Sequence, residues 1–538
     1  MIHDTSRRIP EYIMGRDYPR AVTIFVSANH YQPLTQISLM LSKKQLASIF
    51  AITLLINGSS AAEAAEDHQF EKTPKLGTGN CNPLLDFLHV ADPTAVVHNG
   101  RVYVYGTNDQ QELDSVGRDG KNSYAHIHSL VMMSSDDMVN WTYHGIIDVE
   151  QAAPWTGKKG VSWAPSIISR AESDGLTHFY MYYSHGGGGV GVITATSPVG
   201  PWTDPLGHDL IDVNTPGLTD CPAPFDPGAV IDENGVGWLS FGGGRSSKAT
   251  TFLPGSARIV RLGSDLLSLD SEISEIPAPY FFEASELNYI NGTWVYSYST
   301  DWVDRTEWND PEVSHPSICS IGYMTSTDPL NRDSWKFRGD ILKNPHDYGM
   351  EYTNNHTHFL RFNNEYYIFY HTNHLADFRG ITTGYRNICV DRLEVDENSI
   401  AIPTGQMTQT GVSQIKPLDP FAWQQAETVA ATSGIKFEHT DVAGNMVACG
   451  LGSGQQSEVR GADFGKGASR FEAKVRGKGV IDIHIGSSKG KRVGSLVIDH
   501  PQWQTVSVRL GKKLKGSQDL CFVYRDGDFK FDEWRFIR

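Results

Sequence analysis

Three carboxylates stand at related places in this 538-residue chain. Asp92 lies seven residues before the dipeptide Asn99-Gly100, Asp226 eight before Asn234-Gly235, and Glu283 eight before Asn291-Gly292. Cutting the acetal link between two sugars needs two carboxyl groups in opposite states. One arrives protonated and gives its proton to the leaving oxygen; the other is ionised and takes a proton from attacking water, or attacks directly. A third carboxylate nearby holds the acid's pKa up by like-charge repulsion and positions it. Two Asp and one Glu suit that chemistry. Taken singly, Asp92 and Asp226, each followed by Pro, equally suit an ordinary turn. Glu286 competes with Glu283 as the acid, and the eight-residue spacing selects Glu283.

The elements that must gather these acids are repeated hairpins. Five dipeptides, Asn99-Gly100, Asp174-Gly175, Asn234-Gly235, Asn291-Gly292 and Asn363-Asn364, each sit between short β-branched or aromatic runs. Such dipeptides accept the positive φ of a type I′ turn and mark hairpins. They recur 57 to 75 residues apart, one hairpin per unit of four strands, the size of a propeller blade. Three units share a phrase of small or hydroxyl residues leading to Trp141, Trp202 or Trp335. A closed ring of blades brings equivalent positions to one axis, so the three acids share a pocket. Glycine-rich loops at 186–189 and 242–244 lack the Gly-Lys-Ser/Thr of a phosphate loop and read as crowded turns or close backbone approach to a ligand.

Charged residues make up 20% and apolar residues 39%, which excludes a disordered chain. A net charge of −16 argues against nucleic acid or an anionic membrane as partner. Aromatics reach 11%, enough to fill blades and to stack on sugar rings. The six Cys are scattered without a CxxC pair or a Cys/His cluster; they are either oxidised in pairs or buried thiols, and none is catalytic.

Near the N-terminus, Met40 to Lys44 is basic, Leu46 to Ile56 is apolar, and Ala62-Glu63-Ala64 matches an A-x-A cleavage site. That order is a secretory signal peptide, and the apolar run is too short to span a bilayer. Residues 1–65 are therefore read as an overlong start plus signal, with Met40 as initiator and cleavage near Ala64. The mature protein is secreted or periplasmic, with no membrane contact after cleavage. Residues 66–415 form the propeller. After the stretch 414–420, residues 421–538 read as short strands separated by turns, a β-sandwich.

Ala91-Asp92-Pro93, Trp163-Ala164-Pro165-Ser166, Phe225-Asp226-Pro227, Phe282-Glu283-Ala284-Ser285 and Asn355-His356-Thr357-His358 occur in that order, one per blade. This ordered set resembles glycoside hydrolase family 43, inverting arabinofuranosidases, xylosidases and arabinanases on five-bladed propellers. The resemblance implies Asp92 as general base, Glu283 as general acid, and Asp226 as the group that raises and orients Glu283. It places His356 near an axial metal site, where calcium would use water and carbonyl oxygens, and Arg386 near the acid and the sugar. Trp163 is a subsite wall or a core residue. Inversion implies carboxyl groups roughly 6.5–9.5 Å apart.

Gln425-Ala426-Glu427, Phe464-Gly465, Trp503-Gln504 and Phe531-Asp532-Glu533-Trp534 resemble carbohydrate-binding module family 6. The resemblance implies a structural calcium with Glu427 and Asp532 as oxygen ligands. Lys530 and Gly486 depart from the usual pattern, which leaves the module's sugar cleft open to alteration. The expectation is an all-β enzyme releasing arabinofuranosyl or xylosyl units from plant arabinoxylan or arabinan, with no organic cofactor. The alternatives are an endo-acting arabinanase and a non-catalytic sugar-binding propeller.

Overall fold

The computed structural model describes residues 70–157, 160–244, 251–303, 307–381 and 384–538. The signal and start-site readings, including Met40 and Ala64, lie outside the described residues. Five antiparallel sheets follow one another along the chain. The first blade is β1 (Ala91–His98), β2 (Arg101–Thr107), β3 (Ser129–Ser135) and β4 (Trp141–Asp148). The second is β5 (Ser162–Ala171), β6 (Thr177–His185), β7 (Gly189–Ala195) and β8 (Ile211–Asp212). The third is β9 (Gly228–Ile231), β10 (Gly237–Phe241), β11 (Arg258–Arg261) and β12 (Ser274–Glu275). The fourth is β13 (Phe281–Ile290), β14 (Thr293–Thr300), β15 (Ile321–Ser326) and β16 (Lys336–Leu342). The fifth has β17 (Thr357–Phe362), β18 (Glu365–Thr372) and β19 (Asn387–Leu393).

The first strands of the blades touch in a ring, β1 to β5 to β9 to β13 to β17 and back to β1. All five expected hairpins join the first two strands of a blade. Three are two-residue turns with both residues at positive φ: Asn99-Gly100, Asn291-Gly292 and Asn363-Asn364. The other two are longer. Ala171 pairs with Thr177 and Ile231 with Gly237, and only Gly175 and Gly235 take positive φ. The Asp232 carboxylate holds the longer third turn by accepting the N–H groups of Asn234 and Val236 and the Trp238 indole.

Alternation along each strand sends neighbouring side chains to opposite faces. Both faces of a blade are covered, so both sets are apolar. Ile167 and Met181 pack toward the first blade, while Ile168, Tyr180 and Tyr182 pack toward the third. Further apolar layers join blades three to four and four to five. The last layer joins blades five and one, with Phe369, Ile388 and Val390 against Val104, Val131 and Trp141. Trp141, Trp202 and Trp335, the repeated tryptophans, are all buried in these layers. The six Cys are free thiols.

The C-terminal part contains β20 (Gln424–Gln425), β21 (Thr428–Val429), β22 (Ala431–Ser433), β23 (Lys436–His439), β24 (Met446–Asp463), β25 (Ala468–Ile485), β26 (Arg492–Leu514) and β27 (Ser517–Ile537). The short strands expected from the sequence merge: 470–475 and 479–485 are both parts of β25. Register shifts at Val475/Gly477 bend the strand without ending it, and Gly477 supplies a φ of 114° there. The bent strands wrap one core around Phe471, Phe522, Phe531 and Trp534. Residues 70–538 form one compact unit. β21 adds to the edge of the first blade by pairing with β4, while β20 pairs with β27. Thr432 donates both its N–H and its hydroxyl to the buried Asp86 carboxylate.

At the ring's centre, Gly228 faces the fourth blade closely. A Cβ there would lie 2.4 Å from the Glu286 Cα and 2.7 Å from the Ser285 carbonyl oxygen. Backbone cannot yield as a side chain does. Gly228→Ala is expected to lower the unfolding free energy measured by urea denaturation by about 1–3 kcal/mol. Gly187→Ala, with nothing within 4 Å, is expected to stay within about 0.5 kcal/mol of the parent.

Candidate active site

The heads of the inner strands build the site. Asp92, Ala164, Asp226 and Ala284 all sit at positive φ, at 49°, 22°, 51° and 60°. These are uncommon angles for residues with a Cβ. Each of these residues gives its N–H to a side chain of the preceding blade. Asp92 donates to His371 Nδ1 (3.1 Å), Ala164 to Thr107 Oγ1 (2.8 Å), Asp226 to Ser184 Oγ (2.8 Å) and Ala284 to Asp226 Oδ2 (2.9 Å). Register shifts in β1, β5 and β13 fall at the same places. The equivalent of Asp92 and Asp226 in the fourth blade is thus Ala284, and Glu283 is one residue earlier. The equal spacing of eight arises because the third hairpin has a longer turn.

Asp92, Asp226 and Glu283 lie within reach of one another's charge, in unequal surroundings. Asp92 is buried, which alone would raise its pKa. The Arg386 guanidinium, then His371, His356 and the Thr107 hydroxyl, outweigh burial and hold it below the usual carboxylate range. Glu283 is pushed up to about 7, first by burial and then by the Asp92 charge. Asp226 is pushed well up by burial, then by the charges of Glu283 and Asp92, although it accepts hydrogen bonds from Ser184 and Ala284. At neutral pH the pocket therefore holds an ionised Asp92 beside a Glu283–Asp226 pair that retains a proton. That is an acid and a base at one place.

Arg386, which the resemblance implied near the acid and the sugar, is bonded to Asp92 and acts on Glu283 by its charge. Its Nη1 donates to Asp92 Oδ1 at 2.8 Å. Its Nε and Nη2 form a fork on Asp109, each at 2.9 Å. The Tyr124 ring covers the guanidinium at 5.0 Å. Burial alone would lower the Arg386 pKa, but Asp109 and Asp92 outweigh it and keep the group charged. Asp109, Tyr124 and His371 were not among the sequence-predicted residues. Asp109 opens helix α1 (Asp109–Val116), whose first turn also carries Glu112. The buried Glu112 carboxylate accepts the N–H groups of Ser123 and His126 and the Ser123 hydroxyl, fixing the loop that carries Tyr124. Two acids at the start of a helix are a readable signal; their partners are not.

His371 accepts the Asp92 N–H at Nδ1, so its proton sits on Nε2 and is donated to the Asn354 carbonyl at 2.9 Å. Burial lowers its pKa to about 3 and that of His356 to about 4, so both are neutral near pH 7. His356 Nδ1 is 3.7 Å from Asp92 Oδ1. Trp163 is half-buried, with its indole N–H on the Tyr124 carbonyl at 2.9 Å and its ring edge-on to Tyr124. It props the Tyr124 loop.

Two residues further along each inner strand lies a second ring: Thr94, Ser166, Gly228, Glu286 and His358. Thr94 and Ser166 tie the next blade by accepting the N–H groups of Ile167 and Ala229. Glu286 is fully buried, with His358 Nδ1 3.1 Å from its Oε1. Glu286 Oε2 and His356 Nε2 have no hydrogen-bond partner. Among the described residues, no three His, Cys, Asp or Glu side chains cluster closely enough to enclose an ion alone. Glu427 and Asp532 are remote from this pocket, in the C-terminal part. Glu427 Oε2 is likewise unpartnered, and Lys474 Nζ sits 2.6 Å from Asp532 Oδ2.

The raised Glu283 pKa has a consequence for stability. Between about 4.5 and about 7 the unfolded chain ionises this group while the folded chain does not, so stability falls as pH rises through that window. Glu283→Gln removes the loss. The variant is expected to match the parent at pH 4 and to exceed it at pH 8 by roughly 1–3 kcal/mol in chemical denaturation. An equal difference at both pH values would contradict the electrostatic account.

Residues 81–400 match Glycosyl hydrolases family 43, and residues 425–538 match Carbohydrate binding module (family 6). An arabinoxylan arabinofuranohydrolase of Bacillus subtilis (strain 168) is 35% identical over 488 residues, covering 86% of this chain and 93% of the relative. One from Paenibacillus polymyxa is 34% identical over 484 residues, covering 85% and 74%. The crystal structure of a family 43 arabinoxylan arabinofuranohydrolase from Bacillus subtilis in complex with cellotetraose superposes with a TM-score of 0.79 at 34% identity, over 87% of this chain and 99% of that one. With its five blades, its acids at the hub and these matches along its length, the chain belongs to glycosyl hydrolase family 43.

Proposed function

We propose that this protein is a secreted, inverting glycosidase that removes single arabinofuranosyl or xylosyl units from arabinoxylan-type polysaccharide. The observation that carries the reading is the opposite protonation of Asp92 and Glu283 in one pocket. Asp92 accepts a proton from the water that attacks the anomeric carbon, while Glu283 gives its proton to the leaving oxygen. Asp226 fixes the Ala284 N–H beside the acid and adds negative charge near it. Arg386 steadies Asp92. Trp302 and the exposed Tyr352 form an edge-on aromatic pair, flanking Asp301 and Asn354, two residues that act on Glu283. That placement suits a polymer chain crossing the pocket mouth. The match to a carbohydrate-binding module supports a polysaccharide over a small glycoside, and the basic, apolar, small-residue order from Met40 to Ala64 supports export.

Calcium is part of the same proposal. The unpartnered Glu286 Oε2 and His356 Nε2 fit a cation on the axis, completed by carbonyl or water oxygens. In the module, Glu427 and Asp532 would hold another once Lys474 leaves Asp532. Bound there, a cation supplies charge and rigidity, not a reacting group. Chelation is expected to lower the thermal midpoint, and Glu286→Gln to abolish the axial share of that shift. An unchanged midpoint with and without chelator would remove calcium from the proposal.

Proton NMR of arabinoxylan digests is the primary test. The expected first product is free arabinose or xylose with the anomeric configuration inverted. Retention, or release of oligosaccharides only, would overturn the reading. In kcat/KM the basic limb should lie near pH 7, set by Glu283, and the acid limb below the usual carboxylate range, set by Asp92. Glu283→Ala should cost at least about 100-fold on arabinoxylan, and much less on a nitrophenyl glycoside whose leaving group needs little protonation.

A further inference from the structure

One guanidinium serves two buried carboxylates, and it serves them unequally. Arg386 places its two-pronged fork, Nε and Nη2, on Asp109 at 2.9 Å for each contact. The Arg386 backbone N–H adds a third bond to Asp109 at 3.0 Å. Asp92 receives a single Nη1 bond, at 2.8 Å. A fork on a carboxylate is among the strongest charge-assisted contacts and takes lone pairs from both oxygens. On the base itself it would occupy both oxygens and weaken their pull on a proton. Asp109 has no exposure to solvent, so it has no part in binding substrate directly. It is the first residue of α1, where the helix N-terminus favours a negative charge. The Tyr124 ring, on the loop bonded by Glu112, covers one face of the Arg386 guanidinium.

Resting on the assignment of Asp92 as base, we infer that Asp109 is a positioning residue: it captures the fork of Arg386 so that Asp92 is steadied by one bond and keeps an oxygen for the attacking water. Asp109 is bonded to Asp92 only by way of Arg386, and the two carboxylates also repel each other directly. Without its charge the guanidinium loses its two-pronged partner, because an amide offers one acceptor and presents N–H groups to N–H groups. The fork then turns to the remaining carboxylate, Asp92. The base is left more acidic and less accessible.

The other groups facing Asp92 do not mimic this. His371 from β18 and His356 ahead of β17, with pKa values lowered by burial to about 3 and about 4, and the carboxyls of Glu283 and Asp226 face Asp92 in parent and variant alike, so a displacement between the two is not theirs. Among the described residues, the Asp109 carboxylate accepts its three hydrogen bonds from Arg386.

The test is the pH dependence of kcat/KM on a nitrophenyl arabinofuranoside, for the full chain and for Asp109→Asn. The expected result is a fall of at least tenfold on the plateau, KM within about threefold, and an acid limb displaced downward by half a pH unit or more. An acid limb left in place overturns the proposal, whether activity is kept or lost together with thermal stability, since a merely structural role lowers the active fraction without moving a limb. Asp109→Glu keeps the charge and covers the case in which the Asn variant fails to fold. It is expected to retain the parental limb, and a displaced limb in it also overturns the proposal. Asp92→Asn separates this from the underlying reading. If Asp92→Asn keeps turnover, the base assignment fails; if it is inactive while Asp109→Asn keeps the parental limb, only the positioning role fails.

Discussion

A backbone N–H reaching across from one blade to the next is the contact on which this site depends. Asp92, Ala164, Asp226 and Ala284 hold positive φ, a conformation that costs on the order of 1 kcal/mol or more for a residue with a Cβ. The turn aims each N–H away from its own sheet and toward the end of the previous blade's second strand, or toward Asp226. Burial makes those bonds hard to forgo, because an unpaired N–H there costs about 1–3 kcal/mol. Ring closure and side-chain aim are therefore one feature. The twist that lets a blade bond its neighbour also turns the side chains of Asp92 and Asp226 to the axis. The last of these ties, Asp92 to His371, closes blade one on blade five, at the residue proposed as base.

Burial is common to all three acids and would raise each of them. What separates them is charge at short range. Asp92 has a cation at 2.8 Å and two histidines within 3.7 Å. Glu283 has the Asp92 carboxylate as its largest charged influence, and Arg386 only after it. Inside a protein, where screening is weak, such differences reach several pKa units and decide which group holds the proton. A sugar-binding propeller without catalysis has no use for that separation.

Much of this was legible in the sequence because it is local. Turn dipeptides, alternating runs and the ordered motifs around Asp92, Asp226 and Glu283 all lie within a few residues of what they determine. Trp141, Trp202 and Trp335 repeat as buried fillers of three of the five blades. Spacing misled in one respect: counting from the turns equated Glu283 with Asp226, whereas backbone geometry equates Ala284 with it. A five-residue turn in the third blade absorbs the difference, and no propensity fixes turn length to one residue. Asp109 and Arg386 are 277 residues apart, and Asp92 and Arg386 are 294 apart. Pairings at that range follow from closure of the ring, not from any local pattern. The module's strands were read as short for a related reason. Glycines look like ends of strands, whereas Gly477 marks a bend within one.

The choice between Glu283 and Glu286 turns on depth. Burial raises both carboxyls, so pKa does not decide. Glu286 belongs to the second ring, is wholly enclosed, and is opposed by His358, which favours its ionised form. Gly228 beside it leaves no more space than the neighbouring backbone requires. A leaving oxygen on a polysaccharide cannot descend to that level. Glu283 sits one layer higher and is partly open to solvent, with Asp226 bonded to the next residue's N–H. An acid must be both protonated at working pH and within reach of a bulky leaving group. Of the two glutamates only Glu283 meets both conditions.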